Sequence, residues 1–536
     1  MKMVKSLVLG SAAALVAMTG AQAADLPVKA KAVEYVRICS LYGAGFFYIP
    51  GTDTCIKLGG YLRVDTTFNG QIYDGPNWSG SAGGGDRFYD EINSRSRMAL
   101  TIDTRTATEY GVVRTFGQGD FQFNNFGTQN GDTPSSGPAG GIGSAGSSGN
   151  SGFLTAGQLS GLSTALQNAP GGGYVAVEMV FIQFAGFTFG KSASAYASPW
   201  HGYPGNNTSF LLGGHDTVTG VNNIQYTAQF GNGVSGTIGL DDPTVFNRTA
   251  LYNLSTGIGG NGLGTTQYGG WVVPDLVGNI RVDQAWGLFQ VSGAVHDVNG
   301  SYNIIGAFNT PSALSDISGH PESKVGGSVM AALQIKNIPT GAGDDIKVDA
   351  SWSLGDTKNV ISTSAASPNF AMVGGTKGQG GPNATYGFGA TTDGVWLPTI
   401  FGGDGNIHLT QAAGVRGAFN HNWDPYWSTS LFGSATWVRY DATAQAEFCA
   451  AFSLSHPGIN ATYTCNPNFG TGQLGVVTRW TPVKNLTFSA EAMWFHLHQQ
   501  FTGSSVFTPG APYPVQAWTF HDQDTASFNV RVQRNF

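Results

Sequence analysis

Arginine recurs on alternate positions of the stretch N-S-R-S-R-M-A-L-T-I-D-T-R, residues 93–105. In an extended chain successive side chains point to opposite sides. Asn93, Arg95, Arg97, Ala99, Thr101, Asp103 and Arg105 then share one face, and Ser94, Ser96, Met98, Leu100, Ile102 and Thr104 the other. Arginine stays charged at any relevant pH. A wall of such side chains sets up a field across a water-filled passage and biases which ions cross it. Arg63 and Arg114 on the flanking segments extend the set, and Glu178, His201 and Asp216 are candidates for the opposite wall. The competing reading is that the arginines pair with Asp65, Asp103 and Asp120 and only hold the interior together.

Other chemistry has weaker support. His496-x-His498 could chelate a metal from one strand face, but no third ligand is identifiable, and solvated lumen or loop histidines are the expectation. There is no G-x-S-x-G elbow and no placed acid–base partner for a serine. G-A-G-D-D at 341–345 lacks both the P-loop lysine and the EF-hand ligand spacing, so it reads as a turn. No catalytic residue, resident metal or cofactor is expected. Cys39, Cys55, Cys449 and Cys465 form two sequence-local pairs 16 residues apart, with three connectivities open. The spacing is not C-x-x-C, and in an exported chain disulfides are favoured over zinc.

Export is legible in the first residues. Lys2 and Lys5 make a basic start, Leu7 to Met18 an apolar segment too short to span a bilayer, and Ala21-Gln22-Ala23 a small-x-small cleavage site. Residues 1–23 are therefore expected to be a signal peptide. Removing it takes the formal charge from −7 to −9. That acidity, with no basic cluster, argues against a nucleic-acid partner. Only 11% of the 536 residues are charged, whereas glycine reaches 79 and aromatics 12%. Soluble proteins average about 25% charged residues. Beyond the leader no apolar run reaches the ~18 residues of a membrane helix.

The elements that must hold the arginines emerge from the chain in order. Residues 24–55 are a short N-terminal segment ending at Cys55. Ile56–Phe68 alternates Ile56, Leu58, Gly60, Leu62, Val64 and Phe68 against Lys57, Tyr61, Arg63, Asp65 and Thr67. From there strand, tight connection, strand and long polar loop repeat. Tight connections fall at 106–110, 185–186, 231–233, 285–287, 337–344, 422–425 and 482–485. Long ones fall near 69–91, 126–172, 190–220, 242–271, 299–323, 355–405, 441–467 and 499–514. This makes about sixteen strands with both ends on one side, the asymmetry of a bacterial outer-membrane barrel.

Several segments keep two faces. Phe289, Val291, Gly293 and Val295 oppose Gln290, Ser292 and His296; Ala526, Phe528, Val530 and Val532 oppose Ser527, Asn529, Arg531 and Gln533. In 174–185 both faces are largely apolar, which suggests cover by a loop or a neighbouring subunit. Tyr61, Trp437, Tyr440, Trp480, Trp494 and Trp518 sit near strand ends, where interface aromatics belong. The fold class is all-β: a transmembrane antiparallel β-barrel over residues 56–536, with short periplasmic turns and long extracellular loops. Under that topology Cys39–Cys55 lies on the inner side and Cys449–Cys465 in an outer loop, which leaves these as the reasonable bonds.

The chain resembles the alphaproteobacterial general porins. The resemblance rests on Y-V-R-I-C-S-L-Y-G-A-G-F-F-Y-I-P-G-T-D-T-C-I-K-L-G-G-Y-L-R (35–63), F-I-Q-F-A-G-F-T-F-G-K (181–191), Q-V-S-G-A-V-H-D-V (290–298) and the terminal R-V-Q-R-N-F. It implies a sixteen-stranded homotrimeric outer-membrane barrel of a Gram-negative bacterium, set among outer-membrane lipid and lipopolysaccharide. It also implies passive diffusion of small hydrophilic solutes and ions, not an enzyme. Phe536 resembles the terminal aromatic read by the barrel-assembly machinery. The segment 191–220 corresponds to a constriction loop folded into the barrel. Here that segment has one acid, Asp216, among Trp200, His201, Tyr203, Phe210 and His215, so no acidic eyelet is implied. The alternative function is a surface receptor or adhesin presenting its long loops.

Overall fold

The computed structural model describes residues 37–70, 92–124, 174–206, 211–244, 247–258, 262–306, 310–361, 369–375, 384–456, 462–509 and 513–536. The expected leader (1–23), the whole loop at 126–172 and Phe210 lie outside them.

Sixteen antiparallel strands form one closed wall. They are β1 Thr54–Phe68, β2 Ile92–Thr108, β3 Gly111–Asn124, β4 Tyr174–Phe184, β5 Phe187–Ser192, β6 Val221–Gly231, β7 Val234–Asp241 and β8 Asp275–Gln284. The second half is β9 Gly287–Val298, β10 Lys324–Lys336, β11 Asp345–Leu354, β12 Gln411–Asn422, β13 Trp427–Arg439, β14 Phe469–Val483, β15 Leu486–Gln499 and β16 Gln523–Asn535. Each pairs with its neighbour in sequence, and β16 closes onto β1 from Tyr61↔Asn535 to Phe68↔Phe528. Closure leaves no unpaired sheet edge, which hydrocarbon does not tolerate. β1 begins two residues before the expected Ile56, so Cys55 stands on the strand.

All seven expected tight connections join hairpins at one end of the barrel. Turn chemistry explains them. At 232–233, Asn232 and Gly233 both take positive φ, 50° and 74°, as a twisted two-residue hairpin requires. A Cβ on Gly233 would lie 2.0 Å from the Asp283 carbonyl oxygen, so only glycine fits.

Alternation decides what each face meets. Leu58, Leu62 and Val64 of β1, Met98 and Ile102 of β2, and Val291 and Val295 of β9 all point outward and are exposed. A soluble chain does not leave so broad an apolar belt bare; hydrocarbon covers it in a membrane barrel. Trp427 and Trp480 stack at the turn end of the outer wall, and Trp437 and Trp494 stand near the loop end. Tyr440 and Trp518 do not belong to this belt, since both are buried under the outer loops.

The apolar look of both faces of 174–185 has a local cause. Opposite β3, Gln118 pairs with Met179 and Gly119 with Val177, which leaves Glu178 unpaired in a bulge. A bulge shifts the phase of alternation by one residue. Val177 points outward on one side of it and Val180 and Ile182 on the other, all exposed. A register change, rather than a covering loop, makes the sequence ambiguous here.

The described parts of the later long connections carry secondary structure of their own. Phe370–Gly374, Thr385–Gly389, Gln516–Phe520 and Ser504–Phe507 make a four-stranded sheet. Ala442–Ser455 is an α-helix, capped where the Asp441 carboxylate accepts from the Ala444 N–H at 2.7 Å. Phe388, Phe452, Phe501, Phe507 and Phe520 build a core across these loops, continuous with Phe469, Phe495 and Leu497 inside the barrel mouth.

Candidate functional site

The inward side chains of β16, β1, β2, β3 and β4 form the charged wall. Arg95 donates through Nε and Nη2 to one Asp65 oxygen at 2.9 and 2.7 Å, and Arg531 donates to the other. Arg97 donates to Asp120 at 2.6 Å and to Gln122 at 2.6 Å, and lies 3.8 Å from Glu178. Arg63 donates to Gln533 at 2.8 Å and lies over the Tyr61 ring at 4.3 Å. Arg105 and Arg114 share Asp103, at 3.1 and 3.0 Å. The arginines therefore do pair with Asp65, Asp103 and Asp120. Pairing does not cancel them: Arg63, Arg95, Arg97, Arg105, Arg114 and Arg531 outnumber Asp65, Asp103, Asp120 and Glu178.

The set does not sit at one level. Arg105 is eight residues beyond Arg97 along β2, about 26 Å at ~3.3 Å per residue. It lies near the turn end, with its guanidinium 4.8 Å from the Phe46 ring of the N-terminal segment. Arg63, Arg95, Arg97 and Arg531 point inward well away from the turn end, Arg95 and Arg97 buried among their partners, whereas Arg105 and Arg114 point inward near the turn end.

Residues 193–206 and 211–220 lie in the barrel interior. Asn279 of β8 donates to the Ala195 carbonyl at 2.6 Å and Gln290 of β9 to Ala197 at 2.8 Å. Tyr203 donates to Asp349 of β11 at 2.8 Å, and Asn206 to Asn529 of β16 at 2.9 Å. The Leu212 N–H donates to Gln473 of β14 at 2.8 Å. Tyr196, Trp200 and Leu211 pack on inward Met330, Phe432 and Met493. Arg416 of β12 binds Asp349 through Nε and Nη2 and also donates to the Leu211 and His215 carbonyls.

The expected opposite wall is different. Asp216 faces Arg416 at 3.6 Å and is buried with it. Glu178 stands on the arginines' own wall, beside Arg97, and accepts from Thr219 at 2.8 Å. His201 is exposed and contacts the Thr217 carbonyl at 3.1 Å. Asp349 and Arg416, the pair that fastens the segment, were not candidates in the sequence, because nothing local marks an inward pair on β11 and β12. Arg531 was legible as an inward residue of the last strand. Just beyond β11, burial pushes Asp356 up to about 7 and Lys358 down to about 7.

Both disulfides form within their local pairs, Cys39–Cys55 at the turn end and Cys449–Cys465 on the outer loops. The Phe536 N–H donates to the Gly60 carbonyl at 3.1 Å, which fixes the chain end at the seam between β16 and β1. His496 and His498 face outward beside Trp494, not into the lumen, and Asp522 supplies the third donor that spacing alone does not identify.

A family model described as the porin subfamily matches residues 25–528. The chain belongs to the porins. The porin is 33% identical over 299 residues to Porin Omp2b of Brucella suis biovar 1 (strain 1330) and of Brucella abortus (strain 2308). That match covers 54% of this chain and 65% of the relative, just under two thirds of its length. Among solved structures, the outer membrane channel DcaP of Acinetobacter baumannii superposes with a TM-score of 0.53 at 14% identity. The superposition covers 91% of this porin and 99% of that chain, and shows a shared barrel fold.

Proposed function

We propose that this porin is a homotrimeric outer-membrane channel for passive diffusion of small hydrophilic solutes and ions. One observation carries the reading: residues 193–206 and 211–220 are fastened to inward groups of β8, β9, β11, β12, β14 and β16, inside a barrel whose β16 to β4 wall carries the inward arginines. That arrangement supplies a fixed constriction inside the barrel. In this reading a solute exchanges part of its water shell for fixed hydrogen-bonding groups, and excess guanidinium charge favours anions over cations of equal size. No step makes or breaks a covalent bond, so the porin is not an enzyme. Phe536, at the seam, is read as the residue that the barrel-assembly machinery recognises.

A receptor or adhesin displaying the ordered outer loops is the second reading. Display alone needs no charged inner wall, which favours the channel. Planar-bilayer recording separates the two: discrete steps with an anion-favouring reversal potential support the channel, and a silent bilayer supports display. A heat-modifiable, detergent-resistant trimer on a gel supports the assembly.

A further inference from the structure

At the loop end of the outer wall, β15 and β16 set four polar side chains above the apolar belt. His496 and His498 are two residues apart on one strand, so they share the outward face with Trp494. The three rings run in a row, with centroids 5.6 and 6.5 Å apart. His496 lies directly across from Asp524 in the register of β15 and β16, and Asp522 immediately precedes β16.

We propose that His496, His498 and Asp522 form a binding site for a divalent transition-metal ion of the zinc type. The His498 Nδ1 lies 2.9 Å from Asp522 Oδ2, and His496 Nε2 lies 3.8 Å from the same oxygen. The three donor atoms lie within 4.8 Å of one another. Ligands at about 2.0–2.2 Å from zinc stand about 3.4 Å apart in a tetrahedron, so a small turn of the half-exposed His498 ring completes the geometry.

The surroundings are those of a metal ligand set. The other ring nitrogen of His496, Nδ1, lies 2.9 Å from Asp524 Oδ1, and the same oxygen accepts from the Trp494 indole N–H at 3.0 Å. This carboxylate–histidine pairing fixes ring orientation and tautomer so that Nε2 is presented to a metal. Asp522 is held through its other oxygen, which accepts from the Gln499 N–H at 3.0 Å.

Across β14 the residues opposite His498 and His496 are Gly470 and Gly472, so no side chain on that strand crowds the rings. Two carboxylates beside two imidazoles make a donor set suited to a dication, and three protein donors leave a fourth position for water. A second cluster, Asp404, His408 and Glu447, lacks this character. Both Glu447 oxygens there already accept backbone N–H groups, from Leu397 and Asp404, whereas Asp522 keeps the oxygen that faces the two histidines clear of backbone donors.

The test is Zn2+ titration by calorimetry, with Co2+ absorption as a spectroscopic check, on the full-length porin folded in detergent. Each variant is first shown to keep its heat-modifiable barrel. One Zn2+ per chain is expected. His496→Ala and His498→Ala each should weaken it about 100-fold or more, and Asp524→Asn about 10- to 100-fold. His408→Ala should leave it unchanged. No Zn2+ binding by the intact porin, or binding that survives both His496→Ala and His498→Ala, overturns the site.

Discussion

The Tyr203 hydroxyl donates to the Asp349 carboxylate at 2.8 Å, joining residues 146 apart in sequence across the barrel interior. Arg416 completes the junction and has no exposed surface on its side chain. Asp349→Ala removes the carboxylate bonded to that guanidinium and leaves it Asp216 at 3.6 Å and two carbonyls; breaking a buried pair costs roughly 3–5 kcal/mol. Tyr203→Phe removes one hydrogen bond to a charged group, about 1.5–3 kcal/mol. Unfolding midpoints should fall in that order. Single-channel conductance should rise in Asp349→Ala as segment 193–220 loosens; a wild-type conductance there contradicts the role given to the junction.

Removing both Arg95 and Arg97 by alanine substitution leaves Asp65 bonded to Arg531 and takes away the arginine that Asp120 is bonded to, with Arg63 still nearby. The reversal potential in a salt gradient should move toward cations. Arg105→Ala with Arg114→Ala should move it less, because that pair lies about 26 Å away at the turn-end mouth. Equal shifts from the two double variants would contradict the division of the wall.

Lys358 gives the stability a pH signature. Burial holds its folded value at about 7 against the usual 10.5, although Asp216 and Asp393 oppose the shift. Between those values the unfolded chain carries a proton that the folded chain has released. Stability contributed by this group is therefore lowest below pH 7 and rises as pH climbs from about 7 to 10.5. The gain is on the order of a few kcal/mol. Unfolding midpoints at pH 7, 8.5 and 10 should rise for the wild type relative to Lys358→Met. Parallel curves for the two proteins would refute it.

Cys449–Cys465 staples the helix Ala442–Ser455 to the chain that leads into β14. A loop of this length is worth about 3 kcal/mol in the chain-entropy model. The double serine variant should expose residues 442–468 to protease while the barrel stays heat-modifiable. Loss of the barrel in that variant would show that the outer loops and the wall fold as one unit.

The wall was legible because period-two alternation and turn residues are local signals. Ile56–Phe68 and residues 93–105 divide between apolar and polar faces, and Asn232-Gly233 and Ala185-Gly186 mark hairpins. Segment 174–185 misled because one bulge at Glu178 swaps the faces midway. The outer-loop core was invisible, because Tyr386, Phe388, Phe452 and Phe520 come from three separate connections. Trp518 and Tyr440, which stand close to strands in sequence, are buried by that core. The site was legible in part. The inward arginines followed from alternation, but the fastening of 193–220 to Asp349 and Arg416, and the meeting of His496 and His498 with Asp522, depend on chain segments far apart or on loop closure.

Arg63 and Leu62 are neighbours on β1 that face opposite ways, one toward Gln533 in the lumen and the other exposed on the outer wall. Cysteine placed at each, in a planar bilayer under a charged, membrane-impermeant thiol reagent, tests the account most directly. Arg63→Cys should show a stepwise fall in single-channel current, and Leu62→Cys an unchanged one. A current that responds to modification at Leu62→Cys but not at Arg63→Cys would contradict the assignment of inner and outer faces, and with it the channel.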